Sequence, residues 1–421
     1  MAMSDSDTYN IWNKWDPLKA IMLGNTYDSS FYKDIKNDRI RSALMRIADE
    51  TIEDLDNFEQ VLKSFGCKVL RSKLESSSIM EYADENGEIT GTISMPPLTP
   101  RDRQLVLGNI MYLKTASTID AEQEMLKAYR NEFSYLYDIP TNMRASIRGM
   151  DYPYFEYFKN EMQLKHGYDI GTFNNYVNDD LFCKCLPPHI RDEYLSYNHT
   201  LKLNRVEPPS ITIVGKDVYV DEMNLDNKPI PVQLFDFQKN IIEENQPFRV
   251  NVVKIGGHND GCFHTIKPGA ILSLKDIQTY EKTFPGWDVC YLENQSWNLV
   301  DGFMQMKDKV QGRWWVAGEE GNDEFIHFVE TWLHDWVGYV EESVFDVNVV
   351  MLDQKHVCVS NYNDIAFEFF KKHGIEPIIV PWRHRYFWDG GLHCITLDLH
   401  REGHMEDFFP GRSSPIHDQG F

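Results

Sequence analysis

One cysteine stands in a stretch whose neighbours suit a reactive site. Cys394 follows the paired glycines Gly390 and Gly391 and precedes an alternating run in which Thr396 and Asp398 share its face. A glycine pair lets the backbone turn tightly or approach a ligand closely, and the alternation is typical of a half-buried strand. Cys394 is therefore predicted at the mouth of a strand, either as a nucleophile or as a buried core cysteine.

Other titratable side chains occupy the ends of further predicted strands. His258 and Asp260 are two residues apart on an extended segment, so their side chains can point to the same side. Asp102 and Glu207 stand just before two predicted hairpins, at corresponding ends of similar units. Taken singly, each carboxylate fits a turn, and the histidine fits an ordinary surface or core position. Together with Cys394 they would form a strongly anionic pocket.

An anionic pocket with a cysteine and a histidine suits a guanidinium group. The planar fork of N–H donors on a guanidinium matches carboxylates two at a time. A thiolate could attack the guanidinium carbon while the histidine moves protons, which is a covalent mechanism.

Two repeating sequence patterns would position these residues. The first is a helix, a glycine and a strand, found in 51–70, 280–292 and 365–380, with a looser copy over 232–255. The second is a tight hairpin, found in 104–113, 211–220 and 349–359. The run 266–273 is predicted as one strand. About five degenerate ββαβ-like units predict an α/β fold, closed radially around a central site.

Two long aromatic segments, 138–205 and 294–339, interrupt these repeats and are predicted as insertions in a single domain spanning 1–421. The tryptophans of the second segment are Trp297, Trp314, Trp315, Trp332 and Trp336. That segment is interpreted either as an ordered lid or interface, or as extra packing around the body.

Composition excludes several classes of partner. The net charge of −23 repels nucleic-acid phosphates and anionic membrane surfaces. The seven cysteines are odd in number and scattered, which favours reduced thiols, and no cysteine or histidine spacing predicts a metal site. The polar N-terminus and the lack of a long apolar run predict a cytoplasmic protein without a membrane span.

Several of these motifs together resemble the amidinotransferase family. The matching segments are Pro100-Arg101-Asp102, Gly257-His258-Asn259-Asp260-Gly261-Cys262-Phe263 with 268–273, Asn348-Val349-Val350-Met351-Leu352-Asp353, and Gly391-Leu392-His393-Cys394 with its continuation to 403. The resemblance implies the pentein fold, a five-fold pseudosymmetric α/β propeller. It also implies a guanidino donor, with arginine expected, an amine acceptor, no cofactor and a homodimer.

The resemblance assigns a role to each candidate residue. Cys394 is implied to be the nucleophile and His258 the general acid and base. Asp102 and Asp260 are implied to hold the guanidinium. Glu207 stands where the transferases have the aspartate that orients the histidine.

Three departures from the family pattern leave alternatives open. Related guanidine-modifying hydrolases use glutamate where this chain has Glu207, which makes an arginine deiminase-like hydrolase the first alternative. Ile277 replaces the arginine that binds the carboxylate of glycine, and acidic residues occupy 341–342. We therefore expect an acceptor richer in amine or hydroxyl groups than glycine, such as a polyamine or an amino sugar. A catalytically silent binder of cationic metabolites is the second alternative.

Overall fold

A computed structural model describes residues 9–72, 74, 76–91, 93–102, 104–113, 163–164, 167, 208–221, 248–253, 255, 258–274, 279–292, 302–338, 340, 342–388 and 390–412. Within these ranges the helices are α1 (Asp38–Ser64), α2 (Asn259–Cys262), α3 (Tyr280–Thr283), α4 (Phe303–Met306), α5 (Asp323–Trp332), α6 (Glu342–Val347) and α7 (Asp364–Lys372).

The same ranges contain fourteen strands. They are β1 (Leu18–Leu23), β2 (Lys68–Arg71), β3 (Gln104–Leu107), β4 (Ile110–Leu113), β5 (Ile211–Val214), β6 (Asp217–Asp221), β7 (Arg249–Val253), β8 (Phe263–Lys267), β9 (Ala270–Leu274), β10 (Asp288–Leu292), β11 (Val350–Asp353), β12 (His356–Val359), β13 (Glu376–Ile379) and β14 (Thr396–Arg401).

The strands form several small mixed sheets rather than one large sheet. The orders in the described part of the chain are β14-β1-β2, β3-β4, β5-β6-β7, β8-β9-β10 and β11-β12-β13. In each three-stranded sheet an antiparallel pair is extended by a parallel third strand. The predicted mixed α/β architecture of small repeated units is thereby confirmed. The first sheet also joins the two ends of the chain, because Leu23 in β1 pairs with Thr396 in β14.

Two predicted boundaries were wrong. The helix expected from residue 51 begins at Asp38, where the side chain of Asn37 accepts hydrogen bonds from the backbone N–H groups of Arg39 and Ile40. Its buried face already starts at Ile40, so the apolar pattern extends well before the predicted start. The strand expected over 266–273 is instead the hairpin β8–β9. Gly269 turns it with a φ of 84°, which favours glycine.

The second aromatic segment contributes to the hydrophobic core. Trp314 and Trp336 are fully buried in the same core cluster as Leu55 and Phe58 of α1. The indole N–H of Trp336 donates to the backbone oxygen of Ile93 at 2.8 Å. The described residues 302–338 therefore match the packing interpretation rather than a lid. The interpretation of 138–205 concerns residues outside the described ranges, apart from 163, 164 and 167.

None of the helices in the described ranges is both long and apolar enough to cross a bilayer.

Candidate active site

In each small sheet, a polar residue stands shortly before one strand of the antiparallel pair. Asp102 precedes β3, Asp260 precedes β8, and Cys394 precedes β14. Asn348 stands in the corresponding position before β11. Glu207 stands in that position before β5 but lies outside the described residues. The repeated topology thus offers one polar position per sheet.

The turn that carries Cys394 depends on its two glycines. A Cβ atom on Gly390 would lie 2.9 Å from the Cβ of Cys394, and one on Gly391 would lie 2.6 Å from Oδ1 of Asn348. Both distances are too short for a side chain, so neither glycine can be replaced without movement. The turn ends directly at β14, which places Cys394 at the mouth of a strand as predicted.

Asp260 lies in α2 and approaches the turn that carries Cys394, so the extended segment predicted for His258 and Asp260 was wrong at Asp260. Its Oδ2 atom lies 3.5 Å from Sγ of Cys394 and 2.8 Å from Nδ1 of His393. Burial alone would raise the pKa of Asp260. The hydrogen bond from His393 and the positive charge of Arg101 outweigh it and lower that pKa below the ordinary value. Asp260 is therefore ionised, and Nδ1 of His393 must be the donor.

A buried cluster of charged side chains lies next to the pair formed by His393 and Asp260. The Nε atom of Arg101 donates to the backbone oxygen of His393 at 2.9 Å. Arg101 also approaches Asp398, with Nη2 and Oδ1 3.6 Å apart. Asp398 accepts from Nε of Arg401 at 3.0 Å and lies 3.6 Å from Nζ of Lys14. Burial alone would raise the pKa of Asp398. The charges around it, that of Arg401 most strongly, outweigh burial and hold this pKa below its ordinary value.

Two histidines line a small cavity beside Asp260. The rings of His264 and His393 meet edge to face with centroids 4.9 Å apart. Burial lowers the pKa of His264 to about 3 and that of His393 well below its ordinary value, with the charges of Lys14 and Arg101 adding to the effect. Both rings are therefore neutral near pH 7. The cavity measures about 10 Å³, which is room for one water molecule.

The thiol of Cys394 sits in a strongly unfavourable environment for a thiolate. Burial raises its pKa well above the ordinary value, and the charges of Asp260 and Asp102 raise it further. The side-chain amide of Asn348 acts in the opposite direction, since its hydrogen bond to the sulfur favours the anion. A cation entering beside the two carboxylates would also favour ionisation.

His258 and Asp102 lie at the edges of this site. His258 is the exposed residue that immediately precedes α2, and its side chain does not cap that helix. It is two residues from Asp260 along the chain, which keeps the two residues close to each other. Asp102 ends a short 3-10 helix (Pro100–Asp102) and is half-buried. Cys394, Asp102, Asp260 and His258 are thus brought to one region.

Three residues that contact the predicted site had no role in the sequence-based prediction. Asn348 binds the sulfur of Cys394, His393 binds Asp260, and Arg101 binds the backbone of His393. All three stand inside or beside the motifs that carry the family resemblance. The available signal was position, because Asn348 precedes its hairpin as Asp102 precedes its own.

Among the described residues, no three or more histidine, cysteine, aspartate or glutamate side chains are grouped so that they could hold a metal ion.

The chain as a whole is similar to known amidinotransferases. No protein-family model matches the chain. The mitochondrial glycine amidinotransferase of Xenopus tropicalis is 21% identical over 429 residues, covering 94% of this chain and 84% of that protein. The L-arginine:L-lysine amidinotransferase of Pseudomonas savastanoi pv. phaseolicola is 20% identical over 426 residues, covering 94% of this chain and 95% of that protein.

The fold of the chain is also similar to that of a solved amidinotransferase structure. SxtG, an amidinotransferase of Microseira wollei in the saxitoxin biosynthetic pathway, matches with a TM-score of 0.56 and 15% identity. The match covers 95% of this chain and 99% of SxtG. The predicted resemblance to the amidinotransferases is therefore confirmed, over nearly the whole length of the chain.

Proposed function

We propose that this chain transfers the amidino group of arginine to an amine acceptor through a covalent intermediate on Cys394. The observation that carries this proposal is the 3.5 Å approach of Sγ of Cys394 to Oδ2 of Asp260, in a chain similar to amidinotransferases along its length. A buried thiol beside an ionised carboxylate is suited to a cationic substrate, since the carboxylate can pair with a guanidinium while the sulfur faces its carbon.

The proposed reaction has two half-reactions. In the first, the thiolate of Cys394 forms a C–S bond to the guanidinium carbon. The C–N bond to the departing amine then breaks, and His258 supplies the proton to that amine. In the second, the acceptor amine attacks the amidino carbon and gives a proton to His258, and the C–S bond breaks to restore the thiolate. Ornithine and a new guanidino compound are the products.

The carboxylates have separate roles in this proposal. Asp260 and Asp102 hold the guanidinium. Oδ1 of Asp260 accepts no hydrogen bond from the described part of the chain, so it is available to a ligand N–H group. Glu207 orients His258. The pKa of Asp260 is below its ordinary value, so it carries the charge that this role requires.

The larger-scale properties of the protein form part of the same proposal. The repeated sheets support a five-fold propeller of the pentein type, forming one domain from 1 to 421 with insertions at 138–205 and 294–339. We also propose that the protein is a homodimer located in the cytoplasm.

The direct test is mass spectrometry of the nucleophile. Incubation with arginine and no acceptor should add one amidino mass to the peptide that contains Cys394, and the Cys394→Ser variant should gain nothing. A wild-type protein that turns over arginine without ever carrying this mass would contradict the mechanism. Binding of arginine with no turnover would indicate the silent binder instead.

Hydrolysis is the second candidate function, and Glu207 is the residue that favours it. In that case the first step breaks the bond from the guanidinium carbon to a terminal nitrogen, so ammonia leaves and the rest of the arginine stays on Cys394. Water then attacks the carbon, the C–S bond breaks, and citrulline is released. Product analysis separates the two reactions, because transfer yields ornithine and a new guanidino compound only when an amine is supplied. The outcome depends on whether water is excluded while the adduct waits.

The acceptor is proposed on the basis of charge. Ile277 lies outside the described residues, as does residue 341, and the side chain of Glu342 is not described either. A carboxylate entering an acidic pocket without an arginine fork would lose a charge-assisted pair of roughly 1.5–3 kcal/mol. A panel of amines with arginine as donor should thus favour polyamines or amino sugars. Glycine emerging as the best acceptor by a wide margin would contradict this proposal. The panel should include lysine, because one relative is an L-arginine:L-lysine amidinotransferase.

A further inference from the structure

The side chain of Asn348 makes a full set of hydrogen bonds around the nucleophile. Its Oδ1 atom accepts from the backbone N–H of His393 at 2.8 Å and from that of Cys394 at 3.1 Å. Its Nδ2 atom donates to Sγ of Cys394 at 3.1 Å and to the backbone oxygen of Asp260 at 3.1 Å. An asparagine amide has two donors and two acceptor lone pairs, so this side chain is completely used.

The partners of Asn348 fix the orientation of its amide. Exchanging Oδ1 and Nδ2 would direct the NH2 group at two backbone N–H groups and the oxygen at the carbonyl of Asp260. Four favourable contacts would become at least three repulsive ones. The N–H that faces the sulfur of Cys394 is therefore required by the surrounding backbone.

The chain around Asn348 is shaped to permit this contact. Asn348 follows α6, and its backbone N–H donates to the oxygen of Val344 at 3.0 Å. Its side chain occupies the space that a Cβ on Gly391 would need. Asn348 is 1% exposed, so its hydrogen bond to the sulfur is made away from bulk water.

We propose that Asn348 is a catalytic residue that stabilises the thiolate of Cys394 through its side-chain N–H. This inference rests on the proposed function in so far as the thiolate is the nucleophile. The amide donor offsets part of the effect of burial and of the carboxylates Asp260 and Asp102. The thiolate exists twice in the reaction, before attack and when the C–S bond breaks, so Asn348 acts in both half-reactions.

The Asn348→Asp variant separates this role from a purely structural one. An aspartate keeps an oxygen that accepts from the backbone N–H groups of His393 and Cys394, so the turn is still held. It replaces the donor facing the sulfur with a negatively charged acceptor. A role limited to holding the turn would survive this change, whereas stabilisation of the thiolate would be lost.

The experiment measures alkylation of the Cys394 peptide by iodoacetamide as a function of pH, without any substrate. Loss of a hydrogen bond to a charged group raises the thiol pKa by about one to two units. Below that pKa the rate follows the thiolate fraction, so alkylation of Asn348→Asp should be roughly tenfold or more slower than wild type. Asn37→Asp is the matched control, because it makes the same change at the cap of α1, where the two residue types are equivalent.

The outcomes decide the inference independently of the proposed function. Slower alkylation in Asn348→Asp supports it when Asn348→Ser, which removes the donor without adding a charge, is also slower than wild type, even if no amidino transfer is ever observed. An unchanged rate profile overturns it, even if the protein is an active transferase. If Asn348→Asp unfolds, Asn348→Ser is measured in its place, and an unchanged profile in that folded variant overturns the inference equally.

Discussion

Nδ1 of His393 and Oδ2 of Asp260 lie 2.8 Å apart, and the same carboxylate oxygen lies 3.5 Å from the sulfur of Cys394. A single oxygen atom is therefore shared by a neutral imidazole and by the proposed nucleophile. His393 holds the carboxylate in place and keeps it ionised, so the nucleophile experiences its negative charge. The His393–Asp260 pair should therefore contribute to the free energy of unfolding as well as to the geometry of the site.

Removing the imidazole donor should destabilise the protein at neutral pH. In His393→Leu the buried carboxylate of Asp260 loses its partner, which costs about 1–3 kcal/mol in free energy of unfolding. His393→Asn, which retains a short N–H donor, should recover part of this loss. Urea unfolding at pH 7 measures both variants. This pH lies above the ordinary pKa of an aspartate, where the contribution of Asp260 is fully present, and that contribution declines as the pH falls towards the lowered folded pKa.

A surface pair provides the control for that experiment. Nε2 of His373 lies 2.8 Å from Oδ2 of Asp288, which is the same pair of residue types in a more exposed position. His373→Leu should cost less than about 1 kcal/mol, because exposed polar pairs contribute little. Equal losses in His373→Leu and His393→Leu would contradict the special role of the buried pair.

His264 should make the protein less stable as the pH falls. Its folded pKa is about 3, because burial disfavours the charged ring. The unfolded chain takes up a proton below about pH 6.5 and the folded chain does not, so stability falls by up to about 1.4 kcal/mol per pH unit. Between pH 6.5 and 5 the wild type should therefore lose about 2 kcal/mol more than His264→Gln does.

Urea unfolding across this pH range tests the prediction. His327→Gln, on the exposed face of α5, controls for the substitution itself. Parallel pH profiles for wild type and His264→Gln would show that His264 does not bind a proton on unfolding.

The close fit of Gly391 predicts a local effect on activity. In Gly391→Ala the added methyl group would collide with Oδ1, Cγ and Cβ of Asn348. Displacement of either residue should cost about 1–3 kcal/mol in stability and should reduce turnover more than Gly321→Ala does. A Cβ on Gly321 meets no atom within 4 Å, which makes that variant the control. Turnover of Gly391→Ala equal to that of the control would mean that the turn adapts without loss.

Local sequence patterns predicted most elements of the fold that lie in the described ranges. The hairpins predicted over 104–113 and 211–220 are present. These elements are defined by short apolar runs and by turn residues, which act over a few positions. The start of α1 was missed because its apolar face continues beyond the window in which the pattern is clearest. The turn at Gly269 was missed because the run around it is apolar on both sides.

The site was only partly predictable for a different reason. Cys394 and Asp260 were identified from motif and position, and they are in contact. The partners of these residues depend on contacts between distant segments, since Asn348 and Cys394 are 46 positions apart and Arg101 and His393 are 292 apart. Nothing in the sequence near Arg101 states that its side chain reaches the backbone behind the nucleophile.

The raised pKa of Cys394 predicts that substrate helps to form its own nucleophile. Burial and the charges of Asp260 and Asp102 keep the thiol protonated in the free enzyme. A guanidinium between the carboxylates would cancel part of their effect, lower the thiol pKa and increase the thiolate fraction at a given pH. Alkylation of the Cys394 peptide by a small neutral reagent should therefore be slow across neutral pH. Methylguanidinium, which has no ornithine leaving group, should accelerate this alkylation.

Two controls separate this effect from general changes in the solution. Tetramethylammonium at the same ionic strength has no N–H donors and should leave the rate unchanged. In Asp102→Asn one of the carboxylates that raise the thiol pKa is neutral, so basal alkylation should be faster and the acceleration by methylguanidinium smaller. Protection by methylguanidinium at every concentration, with a reagent small enough to enter beside it, would show that the cation does not ionise Cys394. In that case the proton must leave the thiol by another route, and His258 is the group to which it would be transferred.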